Sequence, residues 1–278
     1  MRFVWQLLAV GIVSMTGGQA VGAVEDSPWL QLVLGLLTSV AAVLVYGWVV
    51  RRTEHRPPTE VARTGAEAAF GRGLLIGLTM FGAVITNIYV NAHYEINGLG
   101  SPAGAVGLAG FMAAAAVTEE VLFRGVLFRI IEERVGTWTA LVLTAVLFGA
   151  AHLLNPNADL WGAVAIAIEA GGMLAAAYAA TRTLWLPIGL HFGWNFAAAG
   201  IFSTEVSGND TPQGLLDTVT SGPEWVTGGA FGPEGSVYSV VFGALITAAF
   251  LWLAHRRGNL VPRRSRADKA AAATTLPR

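Results

Sequence analysis

Eight long apolar segments constrain the fold of this chain more than any other feature. A helix needs roughly 17–25 mostly apolar residues to cross a bilayer. Because backbone groups in lipid must hydrogen-bond internally, such segments form helices. The sequence therefore predicts an all-α, polytopic membrane helix bundle with about eight transmembrane helices. The predicted spans are Phe3–Val24, Pro28–Val50, Phe70–Ala92, Ala103–Leu127, Thr137–Leu153, Leu160–Thr181, Leu184–Phe202 and Ser236–Ala254.

The composition agrees with a membrane location and excludes several functions. Only 13% of the 278 residues are charged, whereas soluble globular proteins carry about 25%. The chain has no cysteine, which excludes disulfides, thiolate catalysis and Cys-ligated metals. The net charge of −1 gives no reason to expect a nucleic-acid partner. Membrane lipids are the expected surroundings.

The positions of the basic residues predict the orientation, because Lys and Arg collect in cytoplasmic loops. With the N-terminus inside and eight crossings, every Lys and Arg falls in an inner segment or in the inner half of the fourth helix, while the outer loops carry Asp and Glu. We therefore expect an N-in/C-in, multi-pass protein. Its expected location is a bacterial plasma membrane. The inner basic positions are Arg2, Arg51, Arg52, Arg56, Arg63, Arg72, Arg124, Arg129, Arg134, Arg182 and the tail from Arg256 to Arg278.

The first apolar segment has two possible interpretations. Arg2 precedes the apolar run, and Val21-Gly22-Ala23 resembles the cleavage site of a secretory signal peptide. We favour an uncleaved signal-anchor helix. Either interpretation leaves the rest of the topology unchanged.

A pair of adjacent glutamates lies within the fourth apolar segment. Glu120 and Arg124 are four residues apart, so they share a helix face and can form an ion pair. Glu119 is rotated by about 100° from that face and lacks this partner. The spacing thus predicts one neutralised carboxylate and one available for proton transfer. The structural alternative is an ion pair with an additional glutamate near the membrane interface.

Two further clusters place imidazoles at membrane depth. Phe148 and His152 share a face of the fifth helix, where His152 by itself is more typical of a helix end than of a catalyst. His191 and Asn195 share a face of the seventh helix and can both donate hydrogen bonds to an oxyanion, or can form an interhelical polar clamp. Glu169 in the sixth helix has three possible roles: it assists catalysis, it belongs to a proton path, or it forms a hydrogen bond between helices.

Together, these clusters resemble the CPBP (CAAX prenyl protease and bacteriocin-processing, also called Abi) family of intramembrane proteases. The signatures of that family are a Glu-Glu pair with Arg four residues later, Phe-x-x-x-His, and His-x-x-x-Asn/Asp/Ser. They occur here in that order as Glu119-Glu120-x-x-x-Arg124, Phe148-x-x-x-His152 and His191-x-x-x-Asn195. The resemblance covers about residues 103–205.

The resemblance implies hydrolysis of peptide bonds within the membrane. Carried over by position, Glu119 activates water with help from His152, and His191 with Asn195 forms the oxyanion hole. Glu120 and Arg124, with Phe148, support the shape of the site. The implied partner is a peptide or membrane-protein substrate, in some family members lipidated. A metal-free site is favoured, with zinc on Glu119, His152 and His191 as the metalloprotease alternative.

Two other functions compete with proteolysis. The first is a non-proteolytic member of the family that acts as a partner or regulator of another membrane protein. The second is a proton-coupled transporter with Glu119, Glu120 and Glu169 as a relay. One feature also strains the protease hypothesis, because counting along the helices places His152 nearer the outer face than His191 and Glu119.

The expected organisation has four parts. Residues 1–102 hold the first three helices, and residues 103–205 form the catalytic helical core. Residues 206–257 contain an outer loop and the last transmembrane helix. Residues 258–278 are basic, without apolar periodicity, and are expected to form a disordered cytoplasmic tail.

Overall fold

The computed structural model describes residues 1–263, and most of these residues are helical. Seven helices are long and apolar enough to cross a membrane, which confirms the all-α, multi-pass fold class. In chain order they are α1 (Arg2–Gly22), α2 (Pro28–Glu54), α3 (Ala66–Val90), α4 (Pro102–Val135), α5 (Thr137–Ala151, continued by a 3₁₀ turn to Leu154), α6 (Leu160–Thr181) and, last in the chain, a helix at Val237–Arg256.

An eighth helix occupies the remaining predicted span. This helix, α7 (Trp185–Asn195), has 11 residues and is extended by a six-residue π-helical segment, Phe196–Ile201. It is buried along most of its length. Three shorter helical elements follow in the next connection: α8 (Glu224–Thr227) and two 3₁₀ turns, at Gly229–Phe231 and Pro233–Gly235. The last helix, Val237–Arg256, is therefore α9.

Successive helices run in opposite directions and give the bundle two faces. The terminal face carries Met1 and the connections 55–65, 136, 182–184 and 257–263. The hairpin face carries the connections 23–27, 91–101, 152–159 and 202–236. The predicted N-in/C-in orientation would place the terminal face in the cytoplasm and the hairpin face outside. The predicted tail, 258–278, lies mostly outside the described residues, which end at 263.

A small sheet covers part of the hairpin face. Strand β1 (Tyr94–Leu99) pairs antiparallel with β2 (Leu216–Thr220), with a bulge between Ile96 and Gly98. The sequence analysis did not predict these strands. The pairing ties the long connection 202–236 to the connection after α3, and it is reinforced where the Tyr94 hydroxyl donates to the Phe202 carbonyl over 2.7 Å. The long connection is therefore an ordered part of the bundle.

Glycines let α3 and α7 pack with their backbones in close approach. A Cβ at Gly73 or Gly77 would overlap the backbone of α7, and one at Gly189 or Gly193 would overlap the backbone of α3. Gly189 and Gly193 therefore admit a neighbouring helix. This packing fixes the height of α7, and therefore of His191, against the rest of the bundle.

Buried ion pairs close the terminal face. Arg129 on α4 donates to Glu54 on α2 and to Gln6 on α1, each over 2.8 Å. Arg182 after α6 pairs with Glu132 on α4. We call these five residues the terminal network. The side chains of four of them are less than 9% exposed, so the network joins α1, α2, α4 and the connection after α6 across the end of the bundle.

Candidate active site

The two adjacent glutamates occupy different environments. Glu120 is fully buried, and its Oε1 accepts from Arg124 Nη1 over 2.7 Å. The Glu119 side chain is 31% exposed, and its Oε2 has no hydrogen-bond partner within residues 1–263. The ion pair expected from the four-residue spacing is therefore present. The neighbouring carboxylate is the one that faces open space.

His191 lies between the two carboxylates. Its Nδ1 is 2.9 Å from Glu120 Oε1, and its Nε2 is 3.9 Å from Glu119 Oε2. Because Glu120 is already paired with Arg124, its contact with Nδ1 orients the imidazole and directs Nε2 toward Glu119. The sequence predicted that His191 shares a face with Asn195, but it did not predict this bridge.

Arg124 also holds α6 in place. Its Nη2 donates to the carbonyls of Ala170 and Gly171, over 3.0 and 3.3 Å. Both residues belong to a π-helical segment, Ala167–Gly172, where widened turns leave carbonyls free of the α-helical pattern. The guanidinium also lies 4.6 Å from the centre of the Phe148 ring. One buried arginine thus links α4, α5 and α6 around the site.

Phe148 is the packing centre of the site. Its ring lies 4.7 Å from the His152 ring and 6.2 Å from the His191 ring, between ring centroids, and makes an edge contact with Phe123. Its carbonyl is 2.8 Å from His152 Nδ1. Since a carbonyl only accepts, Nδ1 carries the hydrogen, and Nε2 of a neutral His152 is a free base.

A pocket of about 300 Å³ brings the four predicted catalytic residues together: Glu119, His152, His191 and Asn195 all line it. Asn195 is 8% exposed, and its carboxamide makes no hydrogen bond to any residue in the described part of the chain. His152 joins the others because α5 ends at Ala151 and the chain turns in a 3₁₀ conformation at His152–Leu154. The difference in depth expected from counting along helices therefore does not keep His152 away from the site.

Three π-helical segments surround this pocket. The first segment begins directly after Glu120, the second includes Glu169, and the third begins directly after Asn195. A π-helical turn carries one more residue than an α-helical turn, and such segments occur frequently at functional sites. No sequence signal marks these segments, because each continues an ordinary apolar helix.

Glu234 is a site residue that the sequence analysis placed only among the acids of the outer loop. It is 2% exposed; Oε1 accepts from Trp194 Nε1 over 2.8 Å, while Oε2 accepts from the Ser207 amide and hydroxyl over 2.6 and 2.8 Å. Burial raises the pKa of Glu234, against the opposing effect of its hydrogen bonds from Ser207 and Trp194. Glu234 anchors the long connection beside His191 and Asn195.

Glu169 is buried next to this anchor. It is fully buried, and neither carboxylate oxygen has a hydrogen-bond partner among residues 1–263. It lines a small cavity, with room for about one water molecule, together with Glu234, His152 and His191. Glu169 therefore lies outside the pocket that Glu119 lines.

The donor set gives no convergent metal site in this arrangement. A catalytic zinc site needs three protein ligands around an open position. No group of three His, Asp or Glu residues in the part of the chain described by the structure is arranged to hold a metal ion. His191 and His152 engage Nδ1 with Glu120 and with a carbonyl and leave Nε2 free, an orientation that histidine ligands of metals also show.

The fold and the site together define a class of protein: a polytopic helical membrane protein with a carboxylate, two imidazoles and a carboxamide around a pocket within the bundle. Residues 101–197 match a family model, Rce1-like, described as type II CAAX prenyl endopeptidase Rce1-like. This match supports the resemblance of that segment to the CPBP/CAAX protease family that the sequence motifs predicted. Neither curated proteins nor solved structures give a match.

Proposed function

We propose that this protein is an intramembrane endopeptidase that hydrolyses peptide bonds of membrane-associated substrates with a glutamate-activated water. The observation that carries this proposal is the contrast between Glu119 and Glu120. One carboxylate is neutralised by Arg124, whereas the other is partly exposed in a pocket with His152, His191 and Asn195. The family match supports the reaction class, and the pocket supports the roles.

In the first step, Glu119 takes a proton from water as the water oxygen attacks the carbonyl carbon of the substrate. The free Nε2 of His152 accepts a hydrogen bond from the same water and orients it. Because Nδ1 of His152 is bound to the Phe148 carbonyl, the ring presents Nε2 to the pocket in a fixed direction.

The negative charge that develops on the carbonyl oxygen needs hydrogen-bond donors. Asn195 supplies its side-chain amide, which makes no hydrogen bond to any described residue. His191 supplies Nε2–H when it is an imidazolium. The two carboxylates and the single guanidinium of Arg124 leave one negative charge, which an imidazolium at His191 balances. Donors of this kind act strongly because they are fixed before the reaction in a site of low dielectric.

In the second step, the tetrahedral intermediate collapses. The bond between the carbonyl carbon and the amide nitrogen breaks, and the proton held by Glu119 moves to the leaving amine. A carboxylic acid and an amine are the products, and Glu119 is again a carboxylate. Glu120 and Arg124 take no part in proton transfer; they position His191 and the π-helical segment of α6.

The test compares protein termini in membranes of cells that express the wild type, Glu119→Gln or Glu25→Gln at matched levels. Glu25 is an exposed glutamate in the connection after α1, so its variant controls for the change of charge. We expect new termini with the wild type and with Glu25→Gln, and none with Glu119→Gln.

Other outcomes would favour the competing functions. If Glu119→Gln abolishes the cellular phenotype while all strains give identical termini, a proton relay explains the data better. If the phenotype also survives in Glu119→Gln, the protein acts as a non-proteolytic partner or regulator.

A further inference from the structure

The catalytic pocket is strongly asymmetric along the bundle axis. On α4, the lining residues Phe111 and Ala115 precede Glu119, so they lie between Glu119 and the hairpin face. The other walls come from Ala151 and Asn155 at the end of α5 and from Ser207 and Asn209 in the connection after α7, all at the hairpin face. The pocket therefore extends from Glu119 toward the hairpin face.

The opposite direction is blocked. Phe123, four residues beyond Glu119 on α4, marks the end of the pocket. Beyond it, Arg124 is buried with Glu120, and the Tyr46 hydroxyl donates to the Gly125 carbonyl. The terminal network then closes the end of the bundle. A larger cavity of about 920 Å³ opens at the terminal face between α2 and α3 and reaches Val117 on α4, but Glu119 does not line it.

The wall at the hairpin face is held in place by hydrogen bonds. The Asn155 side chain donates to the Ser207 carbonyl over 2.7 Å, and the backbone N–H of Asn157 donates to the Gly208 carbonyl over 3.0 Å. Ser207 is bound from the other side by Glu234. The turn at 206–209 is thus fixed between α5 and α7 and forms an uncharged, amide-bearing rim over the pocket.

The distribution of charge determines which compartment the pocket faces. Every Lys and Arg of the chain lies in a connection of the terminal face, in the tail, or in the terminal half of a helix, and the hairpin face carries Asp and Glu without Lys or Arg. Because positive residues stay in the cytoplasm, the hairpin face is the non-cytoplasmic face.

We propose that the protease takes its substrates from the non-cytoplasmic side of the membrane, as extended peptide segments at the outer boundary of the bilayer. This inference rests on the proposed function. The rim is uncharged, and the wall formed by Phe111, Met112 and Val206 is apolar. These features suit an uncharged segment with apolar side chains that leaves the membrane on its outer side. A prenylated carboxyl terminus in the cytoplasm would lie on the side of the bundle opposite to the opening of the pocket.

The absence of cysteine allows a direct test of accessibility. Single cysteines are introduced by Asn209→Cys at the rim, Ala115→Cys inside the pocket and Thr64→Cys in the connection between α2 and α3 at the terminal face. Intact cells are treated with a membrane-impermeant maleimide, before and after permeabilisation. We expect labelling at 209 and 115 in intact cells, and labelling at 64 only after permeabilisation. The reverse pattern, or a pocket cysteine that reacts only after permeabilisation, would overturn the inference.

The location of the cleavage sites gives an independent readout. Termini that depend on Glu119 should map to extracytoplasmic segments or to the outer ends of transmembrane helices. Glu119-dependent termini in cytoplasmic segments would leave the protease function intact and refute the outward-facing substrate. If no such termini exist, the protease function fails, while the labelling experiment still determines which side the pocket faces.

Discussion

The two ends of this bundle use charged side chains in different ways. In the terminal network, buried charges have close partners: Arg129 pairs with Glu54, and Arg182 pairs with Glu132. In the catalytic pocket, Glu119 and Asn195 face open space without a hydrogen-bond partner among the described residues. Buried paired charges join helices. An unpaired carboxylate within the membrane costs free energy, and a functional role explains why it is present.

Within the Glu-Glu motif, only one of the two carboxylates is available for reaction. Glu119 and Glu120 are adjacent, but a rotation of about 100° directs one into the pocket and the other onto Arg124. Identical side chains thus take opposite roles because the helix presents them to different neighbours.

The largest effect is expected from Glu119→Gln, which keeps the size of the side chain and removes the base. We expect the rate of cleavage of a peptide spanning a mapped site to fall by about 10²–10⁴-fold. The thermal unfolding temperature in detergent should remain unchanged, because this carboxylate is partly exposed and has no hydrogen bond to lose. A variant that retains wild-type cleavage would remove Glu119 from the mechanism.

Breaking the terminal network should have a large effect of a different kind. Arg129→Gln removes two hydrogen bonds to Glu54, which keeps those from Arg56 and Gln6. The loss of folding stability should therefore be smaller than the about 3–5 kcal/mol of a fully unpaired buried charge. We expect a lower unfolding temperature and lower expression, with a normal cleavage rate per folded molecule. Arg134→Gln, an exposed position on the same helix, is the control and should change neither quantity. Loss of catalysis in folded Arg129→Gln would contradict a purely structural role.

Asn195→Ala should lower kcat by about 10²–10³-fold, the usual cost of removing one oxyanion-hole donor. KM should change little, because the donor acts on charge that develops in the transition state. Asn195→Ser keeps a donor and should recover part of the lost rate. An equal loss in Ala and Ser variants, with a raised KM, would indicate that Asn195 binds the substrate instead.

The buried Glu234 predicts a pH dependence of stability. Burial raises the pKa of its carboxyl in the folded protein, so folding favours the protonated form. The free energy of unfolding should therefore fall as the pH rises from the ordinary pKa of a glutamate toward the raised value. Glu234→Gln should flatten this slope in unfolding temperatures measured across that range. If the slope of stability against pH persists in Glu234→Gln, other titratable groups cause it.

The smallest effect is expected from metal removal. Since the described donors do not converge on a metal position, treatment of the purified protein with 1,10-phenanthroline should leave the cleavage rate unchanged. Loss of activity with phenanthroline, and its recovery on addition of zinc, would favour the metalloprotease alternative and require rearrangement of Glu119, His152 and His191.

The sequence predicted the helices because their signal is local. A run of about 20 apolar residues must hydrogen-bond its own backbone in lipid, so the eight helical segments lie close to their predicted positions. The Glu120–Arg124 pair is also local, since a spacing of four residues on one helix brings the two side chains together. The order of the three motifs was sufficient to predict the family.

Only the tertiary structure determined how these elements meet. His191 bridges both glutamates because close packing of α3 and α7 sets its height. Glu234 became a site residue because the connection after α7 folds inward, and His152 reached the pocket through a turn at the end of α5. These contacts join residues far apart in the chain, and apolar patterning carries no information about them. The direction in which the pocket opens follows from the same long-range packing, combined with a charge asymmetry that is written in the sequence.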